Sequence, residues 1–277
     1  MQVTFDTHIW NRMVFPERHL KRPNHAALVK LKNAIRSGQL RGFLCESFGI
    51  IEAIRREDRA KFHLQNVPKV AVTHKSHGPG LHCLTIDIQA NHSLHPGLTK
   101  EFEEELNEAL MIGMKLLTTP YIGVPVPDRL RNNPQIYAEE VFATADYNER
   151  FGSVASAISA RGIGGGALAA LAKELTARLD GPRPQEWSDR EFLYRVYEFA
   201  RTSNLKREKA QIEKAFAESA DGDLVAAHVA FGNDYLCTED RGGSAIGRSI
   251  FDDDNRAWLK TAHGVDFVNA QQLSDLL

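Results

Sequence analysis

Four carboxylates near the two ends of the chain could act together in one site. Asp6 directly follows a short apolar run at the N-terminus, and Asp240 follows another apolar run near the C-terminus. Glu52 lies shortly after a third such run, and Asp223 precedes the run that comes before Asp240. Carboxylates that converge repel one another and acquire raised pKa values unless a cation neutralises their charge. These four residues therefore predict a metal-binding site.

The chemistry of such a site follows from its ligands. Carboxylate oxygens favour hard divalent cations, so the predicted cofactor is Mg²⁺ or Mn²⁺ rather than zinc. These ions keep bound waters and bind substrate phosphates, and one or two of them can activate water and stabilise charge on a phosphodiester under in-line attack. The implied reaction is phosphodiester hydrolysis, in which Asp6, Glu52, Asp223 and Asp240 are both catalytic residues and metal ligands.

Neighbouring acids compete with two members of this set. Glu46 lies closer than Glu52 to the end of the preceding apolar run, and Asp221 could take the role of Asp223. A structural role also explains three of the acids: Asp6 as a turn residue, Glu52 as a solvated helix charge and Asp223 as a helix cap. Glu46 and Asp221 are therefore kept as substitute ligands.

The elements around the first two acids alternate between strand and helix patterns. Residues 1–6 predict a short strand, and residues 25–38 carry apolar groups at helical spacing. Residues 42–45 predict a second strand, and Ser47 is placed to cap a helix that carries Glu52. This order is typical of a parallel sheet covered by helices, in which the loops at the carboxyl ends of the strands form the site.

The same alternation returns near the C-terminus. Residues 223–231 predict a helix and residues 235–238 a buried strand, and a further helix and strand follow. Asp240 comes after this strand, whereas Asp234 precedes it and is expected at the opposite edge of the sheet. If the strand neighbours the first one, Asp6 and Asp240 share one edge.

The middle of the chain follows another pattern. Two apolar runs around a Gly-Pro loop predict a β-hairpin, Thr99 opens a helix, and further helices include one over residues 206–220. The predicted fold class is therefore α/β: a three-layer α/β/α arrangement with a central parallel sheet, interrupted by a mostly helical insertion. Residues 1–64 and 216–277 would form the discontinuous domain, and residues 65–215 the insertion of β-hairpin plus helices.

The order and context of the acids resemble the PIN-domain family, the metal-dependent ribonucleases that include toxin components of toxin–antitoxin pairs. Members open with a strand that ends in Asp followed by Thr or Ser, as in Val3-Thr-Phe-Asp6-Thr7. They carry a Glu on the helix after the second strand, as in Glu52-Ala-Ile. A third acid opens an Ala-rich helix, as in Asp223-Leu-Val-Ala-Ala, and a later strand ends in Thr-x-Asp, as in Thr238-Glu-Asp240.

This resemblance implies a PIN-like fold, a nuclease activity on RNA, and Thr7 and Thr238 as hydrogen-bonding supports of the acids. It also raises an antitoxin-like inhibitor as a partner. Three features depart from the family pattern: His8 stands where Asn or Ser often follows, His228 interrupts the small residues of the Asp223 helix, and the insertion is long.

Basic residues flank the predicted acids in sequence, where they could contact a phosphate backbone. The candidate nucleic-acid contacts are Arg55, Arg56, Arg59, Lys206, Arg207 and Lys209. Acidic residues interleave both clusters, so a solvated helix face explains them as well.

Composition sets wider bounds. The 277 residues include 43% hydrophobic and 25% charged residues, with a net charge of -2, which is ordinary globular composition and rules out a globally basic protein. Three widely spaced cysteines predict reduced core thiols, and no apolar run approaches the roughly 20 residues of a membrane span. The expectation is a cytoplasmic protein with no membrane partner, and a homo-oligomer is left open.

Two other functions compete with the nuclease. A PIN-like scaffold without catalysis could bind RNA or a protein partner through the insertion. A zinc-stabilised module is the other, although its candidate ligands match no recognised zinc spacing. Those ligands are His74, His77, His82, Cys83, His92 and His95.

Overall fold

The computed structural model describes most of the chain, namely residues 1–47, 53–55, 58, 69–76, 82–89, 98–119, 134–138, 145–178, 188–202, 205–242 and 249–277. The strands within these ranges are β1 Gln2–Phe5, β2 Arg41–Cys45, β3 Lys69–Ser76, β4 His82–Gln89, β5 Lys115–Leu117, β6 Tyr235–Cys237 and β7 Phe267–Val268. The α-helices are α1 Thr7–Val14, α2 His25–Arg36, α3 Lys100–Met111, α4 Ala145–Ala160, α5 Gly166–Arg178, α6 Asp189–Thr202, α7 Lys206–Phe231, α8 Asp253–His263 and α9 Ala270–Asp275.

One sheet organises the part of the chain that the structure describes. Its five described strands all run parallel, in the order β5-β2-β1-β6-β7. The central strand β1 pairs with β2 on one side, through Val3 and Gly42, and with β6 on the other, through Thr4 and Leu236. The predicted α/β class with a parallel sheet is confirmed, and β1 and β6 are neighbours.

Helices cover both faces of this sheet. Val3 and Phe5 pack on one face, in a core shared with α1, α2, α3 and α9. Phe43 and Cys45 pack on the other face, with α4, α8 and the C-terminal half of α7. Alternate residues of a strand point to opposite faces, so Thr4 faces the α7 side. In general terms the arrangement is a three-layer α/β/α fold.

Helix α7 is one continuous helix of 26 residues, whereas the sequence predicted two helices that part near Gly222. Its N-terminal half packs with α5 and α6 through residues such as Ile212 and Phe216, and its C-terminal half lies on the sheet through residues such as Val225. The predicted break was wrong because Gly222 serves a tertiary contact. A Cβ atom at Gly222 would lie 2.7 Å from the Cα atom of Gly164.

Two elements bear on the predicted insertion. Strands β3 and β4 pair antiparallel in a sheet of their own, which confirms the predicted hairpin. Strand β5, however, pairs with β2 in the central sheet, although its residues fall inside the range predicted as insertion. The central sheet therefore takes a strand from that range, and the division of the chain into two domains stays a prediction.

Two expectations from composition can also be compared with the structure. Cys45 and Cys237 are buried free thiols, as expected of reduced core cysteines. Within the described ranges, no helix is both long and apolar enough to cross a membrane.

Candidate functional site

Asp6 lies at the carboxyl end of β1, where the strand passes directly into α1. Its backbone N–H donates to the carbonyl of Cys237 at 3.0 Å, which ties the end of β1 to the end of β6. Asp6 is also the N-cap residue of α1, and its carbonyl accepts the N–H groups of Ile9 and Trp10. The side chain is buried at the positive end of this helix, where a carboxylate is favoured.

Thr238 links Asp6 to Asp240. Its hydroxyl donates to Asp6 Oδ2 at 2.6 Å, and its Oγ1 accepts the backbone N–H of Asp240 at 3.0 Å. Thr238 is itself fixed by a backbone hydrogen bond of 2.9 Å to the carbonyl of Val268 in β7. The resemblance implied a supporting role for Thr238, and its two hydrogen bonds suit that role.

Asp240 begins the loop that follows β6. Its Oδ1 accepts the backbone N–H of Gly242 at 2.7 Å, and its carbonyl accepts a hydrogen bond from the guanidinium of Arg256. Asp240 is partly exposed, in contrast to Asp6. The site therefore has one buried and one solvent-accessible carboxylate at the same edge of the sheet.

The surroundings of Asp6 raise the pKa of its carboxyl group. Burial raises the pKa of Asp6, and the charge of Asp240 raises it further, while the hydrogen bond from Thr238 and the nearby His8 lower it. Burial and a second acid both disfavour the ionised carboxylate. A bound cation would relieve both effects.

Glu46 directly follows β2 and is buried. Its Oε1 accepts the backbone N–H of Thr119 at 2.6 Å and the Thr119 hydroxyl at 3.1 Å. Since Thr119 lies just beyond β5, these bonds tie the carboxyl ends of β2 and β5 together. The structure thus places Glu46 at the same edge of the sheet as Asp6, whereas Glu52 lies outside the described residues.

Asp221 lies on α7 beside Asp6. The two acids line the same small cavity, together with Thr7, Cys45 and Ser47. Thr7, the other residue with an implied supporting role, therefore borders the space next to Asp6. The structure brings the substitute ligand Asp221 to this site.

Asp223 lies inside α7 and does not begin a helix as predicted, because α7 starts at Lys206. It is buried, and it lies near Cys45 at the end of β2. Burial raises the pKa of the Cys45 thiol to about 12, and the charge of Asp223 adds to this shift. Of the two α7 acids, Asp221 lines the cavity, whereas the charge of Asp223 acts on Cys45 in the cavity wall.

These acids can be tested against the predicted metal ion. Among the residues that the structure describes, no three Asp, Glu, His or Cys side chains form a ready-made metal site. Mg²⁺, however, is commonly bound through one or two carboxylates, with waters and substrate phosphates as the other ligands. Asp6 and Asp240 supply such oxygens, so their chemistry fits Mg²⁺ or Mn²⁺.

Glu218 is a buried acid of this region that the sequence analysis missed. Its Oε1 accepts the backbone N–H groups of Gly164 at 3.2 Å and Ile250 at 2.6 Å. Burial raises the pKa of Glu218, and the charge of Asp240 contributes to the shift. Its position one turn before Asp221 on a helix was the available signal, because residues three apart share a helix face.

The basic cluster at the start of α7 is not beside the acids. The helix rises about 20 Å between Arg207 and Asp221, because α7 is continuous. Lys206 and Arg207 are exposed, and Lys209 forms an ion pair of 3.8 Å with Glu213. Proximity in sequence therefore did not bring these side chains to the site.

Other predicted residues can be placed only in part. Arg55 is exposed, whereas Arg56 and Arg59 lie outside the described residues. The histidines and the cysteine of the zinc alternative fall either outside these ranges or on β3 and β4, which are described by their backbone alone. Zinc binding therefore stays a prediction.

Comparisons of the chain with protein-family models, with curated proteins and with solved structures found no match. The functional interpretation therefore depends on the residues of the site itself.

Proposed function

We propose that this protein is a Mg²⁺- or Mn²⁺-dependent nuclease that hydrolyses phosphodiester bonds in RNA on a PIN-like scaffold. The observation that carries the proposal is the pairing of Asp6 and Asp240 at the carboxyl edge of two neighbouring parallel strands, linked through Thr238. Ligands bind at this edge in open parallel sheets.

The energetics of the pair support a functional role. A buried carboxylate next to a second acid is a costly arrangement, and strongly perturbed acids cluster at functional sites. Thr238 and α1 stabilise Asp6, but the pKa of Asp6 remains raised by burial and by Asp240. A cation held by Asp6 and Asp240 would reduce the repulsion between the two carboxylates.

The acids and Thr238 would have different roles in the site. Asp6 and Asp240 would hold the cation, and Thr238 would fix the orientation of Asp6. Glu46 or Glu52, with Asp221 or Asp223, would complete the acidic surround. When bound, the divalent ion would polarise the phosphoryl group and lower the pKa of the attacking water.

The resemblance to PIN-domain ribonucleases supports RNA as the substrate. The strand-end Asp6-Thr7 and the Thr238-Glu-Asp240 segment carry that resemblance in sequence, and they directly follow two adjacent strands.

The test is cleavage of a labelled single-stranded RNA in Mg²⁺ or Mn²⁺ by the wild type and by Asp6→Asn and Asp240→Asn. We expect each substitution to lower the cleavage rate at least about 100-fold, as expected when charge stabilisation in the transition state is lost. The matched control is Asp234→Asn, since Asp234 lies at the amino end of β6 and accepts the backbone N–H of Gln2 at 2.7 Å. Cleavage that survives in Asp6→Asn and Asp240→Asn would exclude this site as the nuclease centre.

A further inference from the structure

We infer that Arg256 is a positioning residue of the proposed nuclease site, which holds the Asp240 loop in place through two backbone carbonyls. The inference rests on the proposed function for its catalytic consequence and on hydrogen-bond geometry for its structural part. Nothing in the sequence pattern singled out Arg256.

Arg256 joins the segment that follows β6 to the segment that precedes α8. Its guanidinium donates to the carbonyl of Asp240, and its Nε donates to the carbonyl of Phe251 at 2.8 Å. The planar guanidinium also lies over the Phe267 ring, 4.6 Å from the centroid. A rigid fork with several donors can bridge two carbonyls in this way, whereas a lysine ammonium on a flexible stem cannot reproduce the geometry.

Residues 249–251, which include the Phe251 carbonyl that Arg256 contacts, are hydrogen-bonded to α7 and α8. Ile250 donates its N–H to Glu218 of α7, and the Asn255 side chain donates to the carbonyl of Ser249 at 2.9 Å. The contacts of Arg256 and Glu218 therefore connect Asp240 to the helix that carries Asp221. These contacts fix Asp240, which follows β6, relative to Asp221 on α7.

Gly242 also fixes the position of Asp240. Its N–H donates to Asp240 Oδ1, and its φ of +73° is one that side chains rarely adopt. A Cβ atom at Gly242 would lie 2.9 Å from the backbone nitrogen of Asp252, so the loop packs directly on the start of α8. The carboxylate of Asp240 is thus oriented by a loop whose position depends on the contacts of Arg256.

The location of Arg256 in its helix also points to a specific role. It lies near the N-terminus of α8, where the helix dipole disfavours a cation. Its neighbours include the carboxylates of Asp240, Asp253 and Asp6, which favour its charge, and Arg241, which opposes it. Burial and the charge of Arg241 lower the pKa of Arg256 more than these carboxylates raise it, so the hydrogen bonds to the two carbonyls hold the guanidinium at an electrostatically unfavourable position.

The test uses Arg256→Lys, which keeps the charge and removes the two-carbonyl bridge, with Arg150→Lys as the control. Arg150 is exposed on α4 and forms an ion pair with Asp146 in the same helix. The first readout is hydrogen exchange of the Gly242 amide, which reports on the hydrogen bond to Asp240 independently of activity. We expect Arg256→Lys to speed this exchange at least about tenfold, while amides of α2 keep their rates.

The second readout is RNA cleavage. We expect kcat of Arg256→Lys to fall at least about tenfold with KM nearly unchanged, because positioning acts on the transition state rather than on uniform binding. The inference would be overturned if Gly242 exchanged at the wild-type rate in Arg256→Lys. It would also be overturned if the wild type cleaved RNA and Arg256→Lys kept the same kcat, or changed only by a rise in KM. Faster exchange together with a wild type that does not cleave RNA would support the positioning contact and refute the proposed function.

Discussion

Thr238 Oγ1 donates a hydrogen bond of 2.6 Å to Asp6 Oδ2, and this bond joins the ends of two parallel strands that are 232 residues apart in sequence. The same oxygen accepts the N–H of Asp240. A single hydroxyl therefore forms hydrogen bonds to both acids. Changes to this hydroxyl should affect both acids at once.

Thr238→Val removes the hydroxyl and keeps the shape of the side chain. Asp6 loses a donor while it stays buried, so we expect the free energy of unfolding at pH 7 to fall by about 1–3 kcal/mol. We also expect weaker Mn²⁺ binding, because Asp6 is no longer oriented. Urea denaturation and calorimetry measure these effects. Thr261→Val is the control, since Thr261 donates to the Ala257 carbonyl on an exposed helix face. Equal Mn²⁺ affinity in Thr238→Val and the wild type would argue against the role of this hydroxyl.

Asp6→Asn should stabilise the protein in the absence of divalent ions. Burial and Asp240 raise the pKa of Asp6, so the folded state binds its proton more tightly than the unfolded state does. The wild type therefore loses stability as pH rises through the folded pKa, and Asp6→Asn does not. In EDTA we expect a higher Tm for Asp6→Asn at pH 8 and a smaller difference at pH 4.5. Saturating Mn²⁺ should reverse the order at pH 8, and an Asp6→Asn protein that gains as much from Mn²⁺ as the wild type would contradict this prediction.

His228 gives the fold an opposite pH dependence. Burial lowers the pKa of His228 to about 4, and its Nδ1 lies 3.0 Å from Thr4 Oγ1, which also accepts from Asn233. As pH falls below about 6.5, His228 takes up a proton in the unfolded state before it does so in the folded state. The free energy of unfolding therefore falls by about 3 kcal/mol by pH 4. We expect His228→Asn to flatten this slope relative to the wild type in denaturant unfolding at a series of pH values. Identical slopes in the two proteins would show that His228 does not titrate as described.

Gly222→Ala should destabilise the junction of α7 with the α4–α5 turn. The new Cβ would lie 2.7 Å from Gly164 Cα and 3.3 Å from Gly165 N, and backbone atoms cannot move aside easily. We expect a loss of about 1–3 kcal/mol in urea unfolding. The control is Gly152→Ala in α4, where the added methyl meets nothing within 4 Å. Because alanine favours a helix over glycine, we expect this substitution to raise the free energy of unfolding by about 0.5–1 kcal/mol. Equal effects of the two substitutions would refute the proposed packing role of Gly222.

Local signals explain what could be predicted from the sequence. The apolar runs before Asp6 and Asp240 identified β1 and β6, and the strand-end position of both acids follows from them. The prediction of a parallel α/β sheet needed only the alternation of strand and helix patterns.

Tertiary contacts explain what could not be predicted. The sequence predicts separate helices over residues 206–220 and 223–231, yet Gly222 between them lies inside a continuous helix and allows the close approach of Gly164. The side chains of Glu218 and Arg256 bond to backbone groups of other segments, so no local pattern reveals these contacts, although the helical spacing from Glu218 to Asp221 is a sequence signal. Strand β5 was missed because a strand of three residues carries little periodicity.

Mn²⁺ titration calorimetry on the wild type and Asp6→Asn tests the proposed metal site most directly. We predict saturable binding of one or two ions by the wild type at neutral pH, and loss of that binding in Asp6→Asn but not in Asp234→Asn. A wild type that binds no Mn²⁺, or an Asp6→Asn variant that binds it with unchanged affinity, would contradict the assignment of Asp6 and Asp240 as the metal-binding pair.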